Sequence, residues 1–160
     1  MYDNALEFLD EERDAWRPFE ALADLPDEAV ERAVATAHGW SGRTLMGHLL
    51  AWQRVALDAA KELSVGEAAP AFERADAKQD GLGIDSVNER IEAEWATIPL
   101  AELRDRFRAQ PGELRGQLTV VPETRWLKNG ERLKDFLENT TEHYDEHRPD
   151  LDAVLAAARP

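Results

Sequence analysis

The stretch TTEHYDEHRPDL places His143 and His147 one helical turn apart, with Tyr144, Asp145 and Glu146 between them. Imidazoles at i and i+4 on a helix present two ring nitrogens to one ion. A third histidine from a facing helix completes a three-ligand site that keeps positions open for water or substrate. Two other readings use the same letters. HYDEH matches the H-x-x-E-H pattern of inverzincin proteases, with Glu146 as base, and a lone H-x3-H pair can simply belong to a structural helix.

Helical phase separates these readings. Counted at about 100° per residue from Leu133, Phe136 falls at about 300°, His143 at about 280° and His147 at about 320°, all on the apolar stripe. Glu142, Asp145 and Glu146 fall between about 120° and 220°, the solvated face. The same count from Leu45 puts Trp52 at about 340° and His48 at about 300°, inside the arc that faces the core. An inward imidazole without a partner forfeits about 1–3 kcal/mol, and one shared divalent cation accounts for all three at once. His48, His143 and His147 are therefore the candidate metal ligands. The wheel turns Glu146 away from them, and no glutamate follows His147, against the protease reading. The zincin pattern H-E-x-x-H fails because Tyr144 stands at the glutamate position, and the Glu-x-x-His pairs of di-iron bundles do not occur. Tyr144, at about 20°, reads as a core residue with its hydroxyl in water, and His38 as an exposed loop residue.

These side chains need helices to carry them. Tyr2 to Leu25 reads as helix one with a kink at Pro18, followed by a connection with one short helical turn. Ser41 is a suitable N-cap for helix two, with Trp40 and Leu45 placed as a hydrophobic staple, and the apolar arc runs to Leu63. The following SVGEAAPAFERADAKQDGLG is either a long crossover spanning the bundle or part of a site. Helix three runs through DSVNERIEAEWAT, restarts at Pro99 and keeps phase across Pro111. Arg125 and Trp126 lie in the last loop and either rim a pocket or seal the bundle, and the position of Asn88 relative to the histidines is open. Helix four carries Leu133, Phe136, the histidines and Leu151. The expected architecture is all-α, one domain over residues 1–160, a four-helix bundle with a long crossover between helices two and three.

Composition narrows the function. The chain of 160 residues is 43% apolar and 32% charged, with no apolar run near the roughly 20 residues of a membrane span. Its acidic, amphipathic start is unlike a secretory signal, so cytoplasmic residence is expected. The net charge of −14, without a Lys/Arg cluster, excludes nucleic acid as the expected partner. Cysteine is absent, so any sulfur chemistry must use a thiol brought from outside.

GWSGRTLMGHLLAW together with ENTTEHYDEHRPDL resembles the DinB superfamily, including the N-terminal domain of mycothiol-dependent maleylpyruvate isomerases. VNERIEAEWATIPLAELRDRF is also similar to the colibactin-resistance cyclopropane hydrolases of the same fold, a branch without this distal histidine pair. The resemblance implies an up-down-down-up bundle, often a homodimer, holding zinc or nickel on the residues matching His48, His143 and His147. It further implies a small-molecule substrate and a low-molecular-weight thiol such as mycothiol or bacillithiol, in transferase or isomerase chemistry. A non-catalytic metal- or small-molecule-binding stress-response bundle and a metal-independent hydrolase are the alternatives it leaves.

Overall fold

The computed structural model describes residues 1–159, and all regular structure among them is helical. Helix α1, Ala5–Trp16, starts at Asn4, whose side chain accepts from the Glu7 backbone N–H. Pro18, which has no N–H to donate, falls where the α-helix gives way to a 3-10 helix over Arg17–Asp24. The short α2, Asp27–Glu31, and a 3-10 turn at Ala35–Ala37 form the expected connection.

Helix α3, Gly42–Ser64, begins at the predicted cap, with Ser41 Oγ accepting from the Thr44 N–H at 3.1 Å. It packs against α4 (Pro70–Leu82), α5 (Ile84–Ala96) and α6 (Leu100–Leu118). Covered on several sides, it buries Met46, Leu50, Leu57 and Ala60 as well as Leu45, Leu49, Trp52, Ala56, Ala59 and Leu63 of the expected arc, while Val55 of that arc is half-buried. The segment expected as a crossover or a site element is therefore mostly α4, entered through Pro70. Pro111 lies inside a continuous α6, as the unbroken apolar phase predicts.

Helix four differs from the expectation. It is three helices, α7 (Gly130–Glu138), α8 (Thr141–Glu146) and α9 (Arg148–Ala157). The first break follows from side chains competing for backbone carbonyls. Thr140 Oγ1 donates to Phe136 O at 2.6 Å and Asn139 Nδ2 to Asp135 O at 2.9 Å, while Thr140 leaves the helical region at φ −133° and ψ −104°. The second follows from Pro149, which cannot bond to the carbonyl four residues back and so serves in the first turn of α9. Trp126 is wholly buried against Phe8 and Phe136, and Arg125 donates to Leu63 O and Glu67 O at the end of α3, so this pair seals the bundle.

A buried polar network ties α8 to the rest. Tyr144 Oη donates to Glu12 Oε1 at 3.0 Å and accepts from Gln53 Nε2 at 2.7 Å. Gln110 donates to Gln53 Oε1 and Leu50 O, and Arg115 donates to Glu12 Oε2 at 2.6 Å. The expectation of a solvated Tyr144 hydroxyl is corrected: the residue is 1% exposed, and α1 and α3 cover it. Burial, then the Glu12 charge, pushes the hydroxyl well above its ordinary pKa, so it remains a donor. No helix among the described residues is long and apolar enough to cross a membrane.

One close approach seats α5 on α3. A Cβ at Gly47 would lie 2.6 Å from Trp95 Cγ, and Arg106 covers the Trp95 ring at 5.6 Å. Gly47→Ala should therefore destabilise the fold by about 2 kcal/mol, read as a lower urea midpoint. Tyr144→Phe should also cost about 2 kcal/mol in the same measurement, because it leaves Glu12 Oε1 and Gln53 Nε2 buried without that partner.

Candidate metal centre

His48, in the second turn of α3, is 4% exposed. His143 on α8 and His147 at the α8–α9 joint have side chains 11% and 14% exposed. The joint preserves the turn that matters, since the His147 N–H still reaches His143 O at 3.3 Å. The i, i+4 relation predicted for the two rings thus survives the fragmentation of helix four. The ring centroids form a near-equilateral triangle, 4.5 Å for His48–His147, 4.7 Å for His143–His147 and 4.9 Å for His48–His143.

Ligand atoms from the three residues lie within 4.8 Å of one another. With metal–nitrogen bonds of about 2.1 Å, small ring rotations bring such a trio around one ion. The donor chemistry fits a divalent cation. Nε2 of His48 and Nε2 of His143 are buried with no hydrogen-bond partner, an arrangement that costs about 1–3 kcal/mol per group unless a ligand satisfies them. His147 Nδ1 lies 2.8 Å from Asp150 Oδ2, and Asp150 is itself 3% exposed. A carboxylate on Nδ1 holds the proton there and leaves Nε2 with its lone pair, the orientation metal-binding histidines use.

Glu146 is a correction to the helical wheel. Its Oε2 lies 3.6 Å from His143 Nδ1, and it lines the same cavity as the histidines. The side chain is 73% exposed, so its backbone position is on the solvated face as expected, but a glutamate is long enough to fold back over the edge. His38 is exposed as expected, yet its Nε2 lies 3.4 Å from Asp150 Oδ1. Residues His38 and Gly39 have positive φ and close a turn in which the Val34 N–H donates to Trp40 O at 2.9 Å. That turn delivers the Trp40 ring onto His147, stacked at 5.5 Å, and to 4.8 Å from His48.

Two cavities open on the cluster, of about 450 and about 520 Å³, and His48, His147 and Asn88 line both. Asn88, which the sequence could not place, thus stands beside the histidines. Residues Asp76 and Gln79 of α4 line the first cavity, so the ambiguous stretch after helix two is part of the site. Asp150 escaped sequence reading altogether. The available signal was an acid three residues after a candidate ligand, in the first turn of a Pro-started helix.

Burial, followed by the neighbouring His143 and His147, lowers the pKa of His48 to about 2, and burial with His147 lowers that of His143 to about 3. Both rings are therefore neutral at physiological pH, the form that binds metal. The same shifts set a stability slope in metal-free protein. The unfolded rings protonate near 6.5 while the folded ones resist, so their contribution is complete above that pH and is lost as pH falls toward 3. Denaturant midpoints measured from pH 7 to 4 should show a loss of about 1.4 kcal/mol per pH unit per ring. His143→Gln should make that slope shallower.

No curated protein and no solved structure matches the chain. The family model described as the mycothiol maleylpyruvate isomerase N-terminal domain matches residues 9–135, most of the chain, including His48 but ending before His143 and His147. The cap at Ser41, the histidine within α3 and the helices α3 to α6 lie inside that span, and the chain belongs to the mycothiol maleylpyruvate isomerase N-terminal domain family, in the DinB-like superfamily.

Proposed function

We propose that the protein is a metal-dependent enzyme of thiol transferase or isomerase type, with His48, His143 and His147 holding one divalent cation, zinc or nickel. The observation that carries this reading is the convergence of three imidazoles whose buried Nε2 atoms on His48 and His143 have no partner within the protein. A divalent cation held there favours the deprotonated form of an approaching thiol or water and polarises a carbonyl. Asp150 orients His147, Glu146 faces His143 across 3.6 Å, and Trp40 covers the His147 ring face. The two cavities supply room for a small-molecule substrate and a thiol such as mycothiol or bacillithiol on either side of Asn88.

Family membership supports this reading, because the matched family takes its description from a mycothiol-dependent isomerase. With no cysteine in the chain, the thiol must be external. The same reading carries an up-down-down-up arrangement in which α1, α3, the α5–α6 pair and the α7–α9 run form the four layers, and a homodimer in solution.

Protein purified without tag or chelator should contain about one zinc or nickel per chain by plasma mass spectrometry, and His143→Ala should lose it. Asp150→Asn should keep the fold and weaken metal affinity by about 10–100-fold in chelator competition. Turnover of electrophiles should require both metal and thiol. Metal-free protein that also refuses added zinc and nickel, while His143→Ala folds as well as the parent, would overturn the proposal.

A further inference from the structure

The two cavities share a property that the histidines do not explain. Asp76, Glu138 and Glu146 line the first and Asp85, Glu89 and Glu92 the second, and among the described residues neither cavity has a Lys or Arg in its wall. Some of this charge is already engaged. Glu138 pairs with the exposed Lys134 at 3.3 Å, and Glu146 faces His143. Asp76, Asp85, Glu89 and Glu92 are exposed and have no ion-pair partner among the described residues. Asp85, Glu89 and Glu92 stand at i, i+4 and i+7, so they form one stripe along α5 that looks into the cleft beside His147.

Beside His48 Nε2, assigned to the cation, two more buried atoms are unpartnered. Trp52 Nε1, on a residue 8% exposed in the wall of the first cavity, is an N–H donor suited to an acceptor. Asn88 Oδ1, at the boundary of the two cavities, is a third unpartnered buried atom and an acceptor, suited to an N–H donor. A divalent cation on the histidines adds two positive charges, but Asp150 and Glu146 stand against the imidazoles and offset them locally. The outer wall therefore keeps its negative field, which concave low-dielectric surfaces focus.

We infer that the substrate accepted at the histidine centre is a small organic cation, an amine-bearing molecule whose ammonium lies against the α5 carboxylate stripe, where an anionic substrate is disfavoured. The inference rests on the histidine cluster being the functional centre. It separates this chain from isomerisation of a dicarboxylic acid, which needs cationic groups to hold its carboxylates.

The test uses nitroxides of one skeleton bearing an ammonium, a hydroxyl or a carboxylate. The readout is the paramagnetic relaxation of the imidazole ring protons of His48, His143 and His147. Trp16 serves as reference, because its cleft balances Arg108 and Arg115 against Glu20 and Asp24. At low ionic strength the ammonium probe should relax the histidine protons about fivefold more than the carboxylate probe, relative to the same ratio at Trp16. Salt at about 0.5 M should collapse the difference. The surface variant Asp85→Asn/Glu89→Gln/Glu92→Gln should bring the histidine ratio down toward the reference. The measurement is made on protein with and without added zinc. A preference equal to that at Trp16, or one for the carboxylate probe, overturns the inference. So does a preference present only before zinc is added, since the charge then serves metal uptake. The probes need neither metal nor thiol, so protein that refuses zinc defeats the metal reading while the relaxation ratio still decides this one.

Discussion

The hydroxyl of Tyr144 sits between Gln53 of α3 and Glu12 of α1, and these buried hydrogen bonds determine where the histidine-bearing α8 lies. α8 is six residues long, too short to hold itself in place by helix propensity, and breaks bound it at both ends. Its neighbours in sequence therefore cannot aim His143 at His48. The polar network can, because a displaced Tyr144 would strand the Glu12 carboxylate and the Gln53 amide away from water, at about 1–3 kcal/mol each. A directional, all-or-none contact of this kind places an element more sharply than apolar packing, which tolerates sliding.

The breaks themselves have a use at the site. Pro149 ends α8 just after His147 and begins α9 with Asp150 in its first turn. The carboxylate meets His147 Nδ1 at the i, i+3 spacing that places two side chains on one face. Pro149 sets the joint, and Asp150 supplies the partner that fixes the His147 tautomer. Trp40 closes the other side, delivered by the turn at His38 and Gly39.

Two kinds of burial meet at this centre. The nitrogens of His48 and His143 are withdrawn from water, which keeps those two rings neutral, while the carboxylates of α4 and α5 around the cavities stay exposed. An inner shell of neutral donors within an outer shell of negative charge favours a cation at the centre. It also leaves the surroundings polar enough for water or a small polar molecule to reach it.

Ser41 at the start of α3, the run to Leu63 and the inward phase of His48, His143 and His147 were legible from residue order, because each depends on hydrogen bonds and side-chain directions within one or two helical turns. The all-helical class and the continuity of α6 through Pro111 followed in the same way. Residue order offered the stretch after α3 as a crossover or part of a site, and it lines a cavity, but its folding as α4 was not legible. The break at Thr140, the reach of Glu146 to His143, the dry hydroxyl of Tyr144 and the burial of Asp150 were decided only in three dimensions. For Tyr144 the deciding partner lies on another element, Glu12 bonding it from 132 residues away, and for Asp150 it lies across the α8–α9 joint, while Glu146 and Thr140 turn on the side-chain conformation taken within one turn. Local periodicity reports which way a side chain faces, and only tertiary packing determines what it meets there.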